Sequence, residues 1–199
     1  MVCEVSAFSL AGLIMGRFGP VAMAAHQIAI TLAATAFMIP LGLSMALTVR
    51  IGEAHGAGES ARLRPIAVSG WLLAAVYSLL AAGGFLVFGK FLASLFVSAP
   101  QVIALTGSLL VIVGIFQLFD SLQVASSAML RGLHDARVPA LMGFAAYWVV
   151  GLPVGAGLAF GFHLGPTGVW WGLAAGLCMA SITLGPRLWR SIGNATDHP

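Results

Sequence analysis

Charge is what this sequence has least of. Nine basic and six acidic residues are all that 199 positions hold, 8% of the chain, against roughly 25% in an ordinary soluble domain. A soluble protein of this size must cover its surface with polar side chains. The shortage therefore excludes a soluble enzyme and a nucleic-acid binder, and 60% hydrophobic residues exclude a disordered chain. A mean hydropathy of +1.02 leaves an integral membrane protein. Cysteine is nearly absent too. Cys3 and Cys178 sit in separate apolar runs with no CxxC pair, so neither a disulfide framework nor a metal site is expected. HExxH, the P-loop, the dinucleotide fingerprint and the nucleophile elbow are all missing. The first apolar run has no basic leader and carries Glu4, which argues against a cleavable signal peptide.

Apolar sequence is what the chain has in abundance. A membrane-spanning helix needs about 20 apolar residues, which leaves room for about six. Six apolar segments are visible: 1–16, 21–49, 66–88, 102–130, 138–162 and 167–188. The first is short, rising about 24 Å against a hydrocarbon core of about 30 Å, and reads as a helix that begins partway along its length. The longest connection is expected at 50–64, with Gly52, Gly56, Gly58 and several charges. If the helices alternate, Arg50, Arg62, Arg64, Arg131, Arg137, Arg187 and Arg190 share one side, and only Arg17 and Lys90 lie on the other. That bias places the arginine-rich side and the C-terminus in the cytoplasm, and accounts for the net charge of +3 without nucleic acid. The fold class is thus all-α: a polytopic membrane protein with a six-helix bundle in 1–190 and a loose polar tail in 191–199.

Glycines recur at four-residue spacing: Gly12/Gly16, Gly151/Gly155, Gly157/Gly161/Gly165 and Gly168/Gly172/Gly176. Small residues on one helical face let backbones approach closely in lipid. Pro40 and Pro153 lie inside apolar segments and are expected to kink them. Trp170, Trp171 and Trp189 stand near segment ends and read as interface residues.

Two acids interrupt apolar runs, Glu4 and Asp120. Counting from the segment ends at 1.5 Å per residue, Glu4 lies about 18 Å and Asp120 about 16 Å deep, both near the bilayer midplane. Acids at that depth usually face a cavity and serve a function, and such groups suit reversible binding of H⁺ or Na⁺. The alternative is plain hydrogen bonding in a polar packing cluster. Gln117, Asp120, Gln123 and Ser127 share one helical face, expected to meet a cavity or another helix. Gln27, Thr31 and Thr35 form a weaker stripe that interhelical hydrogen bonding explains as well. The histidines, His26, His55, His134, His163 and His198, lack metal-ligand spacing and are assigned to loops or interfaces.

At these residues the sequence resembles the C-terminal half of the multidrug and toxic compound extrusion (MATE) family, of the NorM-like bacterial type. The resemblance is carried by Glu4-Val-Ser-Ala-Phe8, Ala25-His-Gln-Ile-Ala29, Met38-Ile-Pro-Leu-Gly-Leu-Ser-Met-Ala46, Val49-Arg-Ile-Gly52, Phe116-Gln-Leu-Phe-Asp120 and Leu130-Arg-Gly-Leu-His-Asp-Ala-Arg-Val-Pro139. It implies twelve helices in two pseudo-symmetric lobes, in the inner membrane of a bacterium. It also implies export of cationic amphipathic compounds against inward flow of H⁺ or Na⁺, with no other cofactor and no nucleic-acid partner. Glu4 and Asp120 match the family's coupling acids. Gln27, Phe116, Gln117 and Gln123 are candidate cavity residues, and Phe8, Phe37 and Phe119 candidate aromatic contacts. Phe116 stands where sodium-coupled members have tyrosine, which favours H⁺. A rocking mechanism needs two repeats, so the implied partners are membrane lipid, small organic cations, and an N-terminal lobe or second copy. Two other readings remain. One is a lipid-linked oligosaccharide flippase or polysaccharide exporter of the same superfamily, disfavoured because the basic residues lie in loops. The other is a truncated, non-transporting membrane protein.

Overall fold

The computed structural model describes residues 2–197, and the side chains of 6–195. Six helices run in alternating directions: α1 Val2–Gly16, α2 Pro20–Gly56, α3 Ser60–Ser94, α4 Pro100–Gly132, α5 Arg137–Gly161 and α6 Pro166–Asp197. Five are long and apolar enough to cross a membrane, and α1 is the short one. The chain is an integral membrane protein, as its composition requires.

The helices overrun the apolar segments. The expected long connection at 50–64 shrinks to residues 57–59, because Arg50, Glu53, Arg62 and Arg64 are carried on helix extensions. A charge ends the apolar run but does not end a helix; Gly58, at φ 71°, does. The same holds at the C-terminus. Helix α6 passes Arg190 and continues to Asp197 with Ile192 fully buried, so residues 191–197 are helical, where a loose tail was expected.

Helix α4 is the central element and packs against α2, α3 and α6. Two apolar cores flank its middle. The upper core gathers Ala7, Ala11, Ala25, Ala29, Leu109, Val113 and Trp170, and the lower one, toward the arginine-rich end, Ile51, Leu63, Met129, Leu184 and Leu188. Between them α4 buries Gln117, Asp120, Ser121, Gln123, Ser126 and Ser127. The site lies in this polar belt.

Both kink-forming prolines have visible consequences. Pro153 falls between two π-helical stretches of α5, Ala145–Gly151 and Gly157–Gly161, which absorb the lost hydrogen bond by widening the turn. Pro40 has no N–H for the carbonyl of Ala36, one turn earlier. Tyr77 of α3 donates its hydroxyl to that oxygen at 2.6 Å. A carbonyl in lipid has no water to fall back on. Tyr77→Phe should therefore cost about 1 kcal/mol in a reversible unfolding titration. The cost should vanish in a Pro40→Ala background, where a backbone N–H returns; an undiminished cost there would refute the assignment.

Trp170 corrects the interface reading. It is fully buried, while Trp171 is 40% and Trp189 44% exposed. Neighbouring residues on a helix point about 100° apart, so Trp170 and Trp171 cannot share an environment. Trp170 belongs to the buried row Trp170, Leu173, Leu177, Leu184, Leu188. His26 is corrected likewise. It is buried on the α2 face formed by Ala22, Ala25, Ala29 and Ala33, outside any loop.

Candidate functional site

Asp120 projects from the middle of α4 and is 5% exposed. It lines an upper cavity of about 560 Å³, whose other walls come from α1, α2 and α5. Phe116, one turn earlier on α4, lines the same space with Phe8 of α1, His26, Gln27 and Phe37 of α2 and Tyr147 of α5. The rings are mutually packed. Phe8 lies 5.9 Å from both Phe116 and Tyr147, and Trp170 lies 5.9 Å from Phe116 and 5.6 Å from His26. The result is a carboxyl group at the floor of an aromatic-walled pocket of ligand-binding size.

The polar face of α4 is divided. Gln123 and Ser127 line a second, lower cavity of about 670 Å³, with Ser44 and Thr48 of α2, Arg131, and Phe144 of α5. Phe37 and Leu41 line both cavities. Gln117 is on the wall of neither. It is fully buried among the helices, and its amide nitrogen and oxygen have no hydrogen-bond partner among the described residues. Phe119 also lines neither cavity. The backbone of Glu4 is in α1; its side chain lies outside the described residues.

The second polar stripe does not bridge helices. Gln27, Thr31 and Thr35 are exposed on α2. Thr31 donates to the carbonyl of Gln27 at 2.7 Å and Thr35 to that of Thr31 at 2.8 Å, the back-bonding that a helical threonine makes when nothing across from it competes.

The sequence reading did not place Tyr147, His26 or Trp170 at this site. Tyr147 carried no signal, since it stands in an unbroken apolar run and reaches the cavity only through the packing of α5. His26 carried one, because it shares the alanine face of α2. At the arginine-rich end Arg187 bonds Asp135 at 2.7 Å, joining α6 to the α4–α5 turn. His55 and His134 face each other there at 5.8 Å.

The MatE family model matches residues 1–156. A probable multidrug resistance protein NorM of Agrobacterium fabrum is 41% identical over 189 residues, which are 92% of this chain and 41% of that protein. The corresponding protein of Pseudomonas aeruginosa is 45% identical over 186 residues, 91% of this chain and 38% of that one. The chain thus spans about two-fifths of the length of the curated relatives it matches. Among solved structures, the Vibrio cholerae MATE transporter VcmN in the bent form aligns with 98% of this chain and 44% of its own, at a TM-score of 0.87 and 22% identity. The eukaryotic MATE transporter AtDTX14 aligns with 96% of this chain and 44% of its own, at 0.84 and 23%. The six-helix bundle has the fold of a MATE transporter lobe, and the chain belongs to the MatE family.

Proposed function

We propose that this chain forms one lobe of a cation-coupled exporter of amphipathic organic cations, with Asp120 and Glu4 carrying the coupling ion. The observation behind the reading is the buried Asp120 at the floor of an aromatic-walled cavity, near the middle of a membrane-spanning bundle. An ionised carboxylate there is costly unless a cation or a proton neutralises it. Aromatic faces add attraction for cations. The relatives' name, multidrug resistance protein NorM, supports the export of drugs. Such a chain is a transporter and not an enzyme. The exposed Gln27–Thr31–Thr35 stripe is the face it turns to a second lobe or second copy. The arginine-rich end, and with it the C-terminus, is cytoplasmic in a bacterial inner membrane. The flippase reading stays second, because Arg131 is the one arginine or lysine among the residues lining the two cavities.

Membrane vesicles carrying the complete transporter test the reading. Efflux of a fluorescent organic cation should accelerate on imposing an inward H⁺ or Na⁺ gradient and stop when the gradient is collapsed. Gradient-independent efflux would refute it.

The ion itself is H⁺ or Na⁺. Phe116 lacks the hydroxyl expected of a sodium site, yet Tyr147 brings a phenol to the same cavity from α5. Phe116→Tyr places a further oxygen one helical turn from Asp120. Export by the variant should gain sodium dependence, with the half-saturating Na⁺ concentration falling at least several-fold. An unchanged sodium response would show that the position does not select the ion.

A further inference from the structure

We infer that the lower cavity is a relay site through which the coupling cation leaves Asp120 for the arginine-rich side, with Gln123 and Ser127 as its oxygen ligands and Phe37 and Leu41 as the partition it crosses. The inference rests on the proposed role of Asp120 and adds a second station to it.

Three features of the structure carry it. The first is continuity. The two cavities share Phe37 and Leu41 as lining residues, and Gln123 follows Asp120 by three residues, a rise of about 4.5 Å. The second is chemistry. Gln123 is 4% exposed and lines the lower cavity, its amide nitrogen donates to Ser127 Oγ at 3.3 Å, and its Oε1 has no partner among the described residues. The hydroxyl hydrogens of Ser44 and Thr48 are also spent, that of Ser44 on the carbonyl of Leu41 at 2.7 Å and that of Thr48 between the carbonyls of Ser44 and Ala128, both at 3.0 Å. With their hydrogens spent in this way, Ser44 and Thr48 keep lone pairs as acceptors beside Gln123 and Ser127. A wall of that kind suits a hydrated monovalent cation, Na⁺ or a proton carried on water, because buried acceptors demand a partner. The third is the place of Pro40. It is buried between Phe37 and Leu41 in sequence, so α2 lacks one backbone hydrogen bond beside the partition. Arg131 lines the same cavity about 12 Å along α4 from Gln123, on the arginine-rich side.

The test uses the complete transporter in vesicles, with ion binding and export measured separately. Leu41→Trp fills the partition, and Gln123→Leu removes the oxygen. In each, ion-driven export should slow at least tenfold, several times more than the ion's equilibrium affinity weakens. Gln123→Glu, which keeps an oxygen, should restore most of the rate to the Gln123 position. Wild-type export by both Leu41→Trp and Gln123→Leu would overturn the inference. So would loss of binding and export together, since the lower cavity would then be no separate station. If Asp120→Asn itself exports normally, the coupling reading has failed as well. A second measurement does not depend on those variants folding. In a Cys3→Ser, Cys178→Ser background, Ser127→Cys should react with a membrane-impermeant cationic thiol reagent applied from the arginine-rich side. The coupling ion should slow that reaction, with Na⁺ and H⁺ tried separately to identify which protects. A rate indifferent to both ions would overturn the relay.

Discussion

Asp120→Asn is expected to remove nearly all ion-driven export while leaving the bundle assembled. The substitution keeps the shape of a side chain that is 95% buried at the floor of the upper cavity, so packing with Phe116 and its neighbours should persist. What disappears is the group that exchanges a proton or a metal cation. Coupling free energies between sites commonly run about 1–3 kcal/mol, or roughly 5–150-fold. The gradient-driven rate should fall by on the order of 100-fold, the upper part of that range, since coupling has lost its main carrier. Glu4→Gln should weaken coupling by a smaller factor if Asp120 carries most of it. Vesicle transport under an imposed gradient, paired with thermal unfolding to confirm an intact bundle, checks both. Wild-type export by Asp120→Asn would return the residue to a packing role.

Gly172→Val should be among the most destabilising single changes in the α5–α6 interface, with Gly176→Val beside it. A Cβ on Gly172 would come within 2.2 Å of the backbone N and Cα of Gly155, and one on Gly176 within 2.0 Å of the carbonyl oxygen of Ala146. These neighbours are backbone and cannot rotate away, so the two helices must separate. Overpacking against movable side chains costs about 1–3 kcal/mol; here the cost should exceed about 3 kcal/mol and appear as loss of the folded form on heating or in a denaturant titration. Gly157→Ala and Gly161→Ala are the controls. They belong to the same four-residue pattern, yet nothing lies within 4 Å of either position, and each should be neutral or stabilising by up to about 1 kcal/mol. Equal damage from both pairs would show that helix propensity, and not interhelical contact, governs these glycines.

The contrast between Gly161 and Gly172 marks where reading a linear pattern stops. Membrane class, helix number and helix order follow from composition and from runs of apolar residues, because lipid permits few other solutions for a backbone that must satisfy its own hydrogen bonds. The burial of Asp120 was legible for the same reason: a carboxyl group within a 29-residue apolar segment cannot face lipid cheaply. The burial of Gln117, Asp120, Gln123 and Ser127 on α4 was legible as well, since helical periodicity is local. Which residues meet Asp120 was not legible. Tyr147 arrives from α5, through a helix whose π-helical turns shift its register, and Trp170 turns inward while Trp171 turns out, through the packing of α6 on α4. Nor could the sequence show that Phe37 and Leu41 line both of two cavities, with Gln123 on the wall of one and Asp120 on the wall of the other. Spacing along a chain specifies a face; only the tertiary structure specifies what stands opposite that face, because the neighbours come from helices distant in sequence and their approach is set by packing that no single segment contains.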